Sequence, residues 1–165
     1  MGDKKITKAS GKLGRIVAMR LAPGCDILKS IEEVAREEGI TSGIILGGAA
    51  SLTKVTLRNV KGYNSPEVFP ITDQFRIFTS LEGPLELVSI SGTIGTKDDG
   101  QLFAHVHIVV SSGCPESIAY GGHLVPGAII YSTGEILLAE VEEMEFRRPF
   151  NEETRAHELA PTAKG

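Results

Sequence analysis

Hydrophobic and polar positions alternate along most of this chain, and only one stretch follows the helical period. Residues Ile27, Ile31, Val34 and Ala35 fall on one stripe, while Lys29, Glu32, Glu33, Arg36 and Glu37 occupy the other side. That spacing predicts a helix from Ile27 to Glu38, with Asp26 as its N-cap and Gly39 as the glycine that ends it. Period-two alternation predicts strands over Gly14 to Leu21, Ser42 to Ala50, Lys54 to Val60, Phe75 to Ser80, Leu85 to Ile94, Gln101 to Ser111, Ala128 to Ser132 and Glu135 to Glu142. Turn residues punctuate them, Lys97-Asp98-Asp99-Gly100 most clearly. Many strands on short links and one helix give an α+β fold, a mainly antiparallel sheet flanked by the helix.

The 165 residues fit one domain, which buries enough surface to fold without disulfides or a structural metal. The expected organisation is a flexible basic arm over residues 1–12, a folded domain over 13–148 and a loosely ordered polar tail over 149–165. Cys25 and Cys114 lie far apart without metal spacing and read as reduced thiols, which with the absence of a signal-like N-terminus suggests a cytoplasmic location. No apolar run approaches the roughly 18 residues of a membrane-spanning helix. The formal net charge of −4 disfavours a dedicated nucleic-acid binder, although Lys4, Lys5, Lys8, Lys12 and Arg15 make the N-terminus locally basic.

Candidate chemistry gathers in Leu102-Phe-Ala-His-Val-His-Ile-Val-Val110. Leu102, Ala104, Val106, Ile108 and Val110 share a core face, and Phe103, His105, His107 and Val109 share the other. Residues two apart on a strand project from one face about 6.6 Å apart, so two imidazoles there can lean onto one ion. Gly121-Gly-His-Leu124 supplies a third, His123, on a segment that its paired glycines free to approach closely. Two readings compete: a three-nitrogen site with open positions, suited to zinc or another borderline divalent ion, and half-exposed surface imidazoles. In the first, every imidazole must be neutral, so binding weakens as pH falls through the ordinary histidine range near ~6.5. His157 reads as solvated in the tail, and Glu86, the nearest candidate for a general base, as an edge residue facing water. Gly47-Gly48 lacks the pattern of a phosphate-binding loop and reads as a tight turn or close packing.

Taken in order, Arg20-Leu-Ala-Pro-Gly-Cys-Asp26, Gly43-Ile-Ile-Leu-Gly-Gly-Ala49, Val55-Thr-Leu-Arg58, Leu85-Glu-Leu-Val-Ser-Ile-Ser-Gly92, His105-Val-His107 and Gly121-Gly-His-Leu124 resemble the plant-and-prokaryote-conserved (PPC, or PCC) domain over residues 13–148. The resemblance implies a homotrimer of the stand-alone prokaryotic type, whose members carry a DNA-binding description and whose histidines at these positions look like a metal site. It also implies the alternative of a regulatory protein that binds DNA or a protein partner with the trimer as scaffold. The chain has no Arg-Gly-Arg-Pro minor-groove core, and Arg147-Arg148-Pro149 echoes it only superficially.

Overall fold

The computed structural model describes residues 6–62, 73–113 and 117–164. The elements run β1 (Lys12–Leu21), α1 (Ile27–Glu37), β2 (Gly43–Val60), a 3-10 turn (Asp73–Phe75), β3 (Arg76–Lys97), β4 (Leu102–Ser112), β5 (Ala119–Leu124), β6 (Ile129–Glu142), β7 (Met144–Arg148), β8 (Phe150–Asn151), β9 (Ala156–His157) and β10 (Ala160–Ala163). The main sheet has the order β1-β6-β2-β5-β4-β3-β7-β10, antiparallel except for the short β3–β7 pairing. A further β2–β3 pairing makes the ladder run β2-β3-β4-β5-β2, so these four strands close on themselves.

The helix forms where its stripe is expected. Asp26 accepts from the Lys29 amide as N-cap, and its other carboxylate oxygen accepts from the Gly127 amide at 2.7 Å, tying the helix to the loop before β6. At the far end Gly39 adopts φ +68, and the Gly39 and Ile40 amides return to the Arg36 and Ala35 carbonyls. That pair of bonds is the Schellman arrangement, which needs a residue free to turn left-handed. The helix buries Ile27, Leu28, Ile31 and Ala35 against the sheet's core face, where Val106, Ile108 and Val110 are also buried. Glu32 follows them inward and accepts from the Ala104 amide.

Strand boundaries differ from expectation in one systematic way. Three pairs of predicted strands are single long strands, β2, β3 and β6. The gap read after Ala50 is a register shift between Leu52 and Lys54, so β2 bends without ending. Opposite that bend lies Gly83, whose missing Cβ would stand 2.3 Å from the Leu52 carbonyl oxygen. The tail is likewise structured: β8 pairs with β9, and β10 pairs along β7, with Pro161 on the outermost strand where it removes no needed donor. The Lys97–Gly100 turn is present, with Gly100 at φ +79. Cys25 is a free thiol, and Cys114 lies outside the described residues. Among the described residues no helix is long and apolar enough to cross a membrane.

Candidate metal centre

The strand alternation places His105 and His107 together on the face of β4 away from the helix, while Ala104, Val106, Ile108 and Val110 are buried beneath. His123 arrives on a strand. In β5 it pairs with His107 on one side and with Arg58 of β2 on the other, so the glycines before it are ladder residues rather than a hinge. Their smallness has a local reason: a Cβ on Gly122 would lie 2.6 Å from Asn59 Oδ1, and Asn59 Nδ2 donates across it to the Gly121 carbonyl at 3.1 Å.

The three rings meet. Their centroids lie 5.3 Å (His105–His107), 4.9 Å (His105–His123) and 5.2 Å (His107–His123) apart. One ring nitrogen from each falls within 4.8 Å of the others. Two nitrogens on one tetrahedral ion stand about 3.3 Å apart, so modest side-chain rotation converges all three on a centre. Their proton affinities fit that use. Burial, then Arg148, then the neighbouring His107 and Arg58, lower the His105 pKa to about 4. Burial first, then Arg58 and the other two histidines, lower His123 to about 3. His107, the most exposed, is also lowered, by burial and then Arg58. All three are therefore neutral nitrogen donors at pH 7, the form a metal requires.

The histidines floor a cavity of about 440 Å³. Arg58, Asn59 and Arg76 border it from β2 and β3, and Thr154, Ala156 and Glu158 from the tail. Glu158 accepts from the Thr154 hydroxyl at 2.6 Å and from Asn151 Nδ2 at 2.9 Å, which fixes this wall. Beneath it Arg148 is buried at 2% exposure, with its guanidinium 5.3 Å from the Phe103 ring centre. It donates to Thr93 Oγ1 and to the His157 carbonyl, while its Nε has no partner among the described residues. Thr93 is the register partner of His105, so Arg148 braces the strand beside the first histidine.

Three sequence expectations need correction here. His157 is half-buried and engaged rather than a free solvated residue: its Nδ1–H donates to the Arg148 carbonyl at 3.0 Å, and its ring lies tilted to Phe103 and edge-on to Phe150. The tail that carries it is a wall of the cavity. Arg148 was visible only as an echo of a DNA-binding motif, although it follows Phe146 at the inward-facing spacing of β7. Glu86 faces solvent as expected but does not lie at an edge: it is paired in register with Ser51 of β2 and Ser111 of β4, away from the histidines.

A family model described as the Plants and Prokaryotes Conserved (PCC) domain matches residues 8–142. The chain belongs to the PCC-domain family. Relatives include the bifunctional protein GlmU of two Synechococcus sp. strains, each 33% identical over 134 residues. That match covers 81% of this PCC chain and 18% of each relative, so the chain spans under a fifth of their length. Among solved structures, a plant- and prokaryote-conserved protein from Pyrococcus horikoshii superposes with a TM-score of 0.73 at 28% identity, covering 97% of this chain and 100% of its own. A metal-containing protein from Archaeoglobus fulgidus superposes with a TM-score of 0.73 at 25% identity, covering 94% and 99%. The PCC match ends at residue 142, so Arg148, Thr154, Ala156 and Glu158 come from beyond it.

Proposed function

We propose that this PCC-domain protein binds a divalent metal, zinc foremost, through His105, His107 and His123, and works as a homotrimer. The observation that carries the metal reading is the convergence of three neutral ring nitrogens within 4.8 Å. The donor set fits zinc: imidazole nitrogens suit a borderline ion, and three of them leave a position for water or a ligand. The metal-containing relative from Archaeoglobus fulgidus supports the same reading. The one carboxylate among the described residues at the cavity, Glu158, is engaged by Thr154 and Asn151, so we assign no general base and no reaction.

Self-association is supported by large apolar side chains left in water. Phe78 is 62% exposed, Val60 52% and Val88 60%, and the main sheet ends in the edge strands β1 and β10. By register, Val60 and Phe78 share the sheet face of Arg58 and Arg76 in the β2–β3 ladder, so an interface there would adjoin the histidine cavity. A DNA-binding role is less well supported. In the basic N-terminal segment Lys12 pairs with Glu143, and Arg15 with Glu38 and Glu140, so these charges already face acidic neighbours of the same chain.

Elemental analysis after equilibration with zinc and a competing chelator tests the metal reading. Wild-type protein should retain stoichiometric zinc, and the triple variant H105A/H107A/H123A should retain none. His157→Ala, whose Nδ1 is committed to the Arg148 carbonyl, is the control and should bind as wild type. Zinc retained by the triple variant would place the site elsewhere.

A further inference from the structure

The three histidines continue into a line of side chains across adjacent strands. Arg58 on β2 pairs with His123 on β5, and His123 pairs with His107 on β4. Directly paired residues share a face, and neighbouring strands lie about 4.8 Å apart, so Arg58 stands one strand from a proposed ligand. A second guanidinium joins it: Arg58 faces Phe78 and Val60 faces Arg76 in the β2–β3 ladder, which puts Arg58 and Arg76 diagonally on that same face. Diagonal positions lie about 7–8 Å apart, within reach of long side chains. Both arginines border the cavity that the histidines floor. Among the described residues bordering it, Arg58, Arg76 and Glu158 are the charged ones, and a divalent ion would add two further positive charges.

We propose that this cavity is a receptor for a small oxyanion, a molecule bearing a carboxylate or phosphate group. The inference rests on the metal reading above: one oxygen would occupy the open position beside the imidazoles, and the remaining oxygens would take hydrogen bonds from Arg58 and Arg76. Two features argue for it. Guanidinium forks match the planar or tetrahedral oxygens of carboxylate and phosphate. The cavity is also walled by Thr154 and Glu158, so its occupant is a small molecule with at most a few polar groups, and Glu158 disfavours excess negative charge on that side.

Isothermal titration calorimetry on zinc-equilibrated full-length protein tests this, with inorganic phosphate and malonate as separate probes. Binding of either supports the proposal, and the tighter of the two identifies the head group. Arg58→Gln and Arg76→Gln should each weaken that binding at least about tenfold, with zinc content unchanged. Glu158→Gln should change it in the opposite direction, tightening it about threefold through loss of a nearby negative charge. This reversed sign guards against variants that merely fold poorly. Glu86→Gln, far from the cavity, should leave it unchanged. Absence of binding by both probes overturns the proposal, as does binding that neither arginine variant weakens. Failure of the protein to take up zinc strikes the metal reading alone. The same titrations on metal-free protein then decide the anion site, which stands if arginine-dependent binding persists and falls if it does not.

Discussion

At the scale of single residues, the chemistry depends on three histidines that refuse protons. A histidine whose pKa is depressed on folding takes up protons in the unfolded chain first. Metal-free protein should therefore lose stability as pH falls from about 6.5, the unfolded value, towards about 4 and 3, where His105 and His123 charge. Denaturant midpoints across that window measure this, and a midpoint that rises on acidification would contradict it. The same depression alters the expectation for the metal. Protons compete weakly at these nitrogens, so half of the zinc should be lost a full unit or more below the ordinary value of about 6.5. Zinc content across a pH series measures this, and half-loss at 6.5 or above would mean that the burial and the Arg58 and Arg148 charges do not act as described. Replacing any one of the three with alanine should weaken zinc by more than about 100-fold, since loss of mere outer-shell support costs ~10–100-fold.

At the scale of elements, the sequence was most legible where one period ran long enough to be read. The helix, its Asp26 cap and its Gly39 stop were all visible, because capping chemistry is local. The two faces of β4 were visible because nine residues alternate without interruption. Long strands were cut in the reading because Gly83-Pro84 and Thr133-Gly134 carry turn chemistry, whereas the ladder bridges them through partners far away in sequence. Strands of two to four residues, such as β8 and β10, hold too little alternation to be read, so the tail's place as a wall of the cavity stayed hidden. The site was legible as three residue types at suggestive spacings. Its arginines were not, since the β2–β5 register that sets Arg58 beside His123 is a long-range fact. Two substitutions test the helix. Ile31→Ala removes a fully buried side chain and should cost about 2–5 kcal/mol. Asp26→Ala loses both the cap and the Gly127 tie and should cost about 1–2 kcal/mol. Urea titrations with unchanged slope read both, and losses under about 0.5 kcal/mol would mean that the helix contributes little to the fold.

At the scale of the whole molecule, exposed Phe78, Val60 and Val88 and the formal charge of −4 point to opposite affinities for other macromolecules. The apolar side chains favour copies of the same chain, and sedimentation at micromolar concentration should give a trimer mass. A monomer mass would contradict that assembly. The charge, multiplied in an oligomer, opposes phosphate backbones. Submicromolar binding to duplex DNA should be absent at about 0.15 M salt, and a complex that survived removal of residues 1–12 would overturn that expectation. The proposed metal site comes down to one point in the molecule, the space between three imidazoles. An anomalous-difference map from crystals of the zinc-equilibrated protein, recorded at the zinc edge, tests it most directly. One strong peak per chain should lie about 2.0–2.1 Å from a ring nitrogen of each of His105, His107 and His123. A map without density there, or with its peak on other residues, would contradict it.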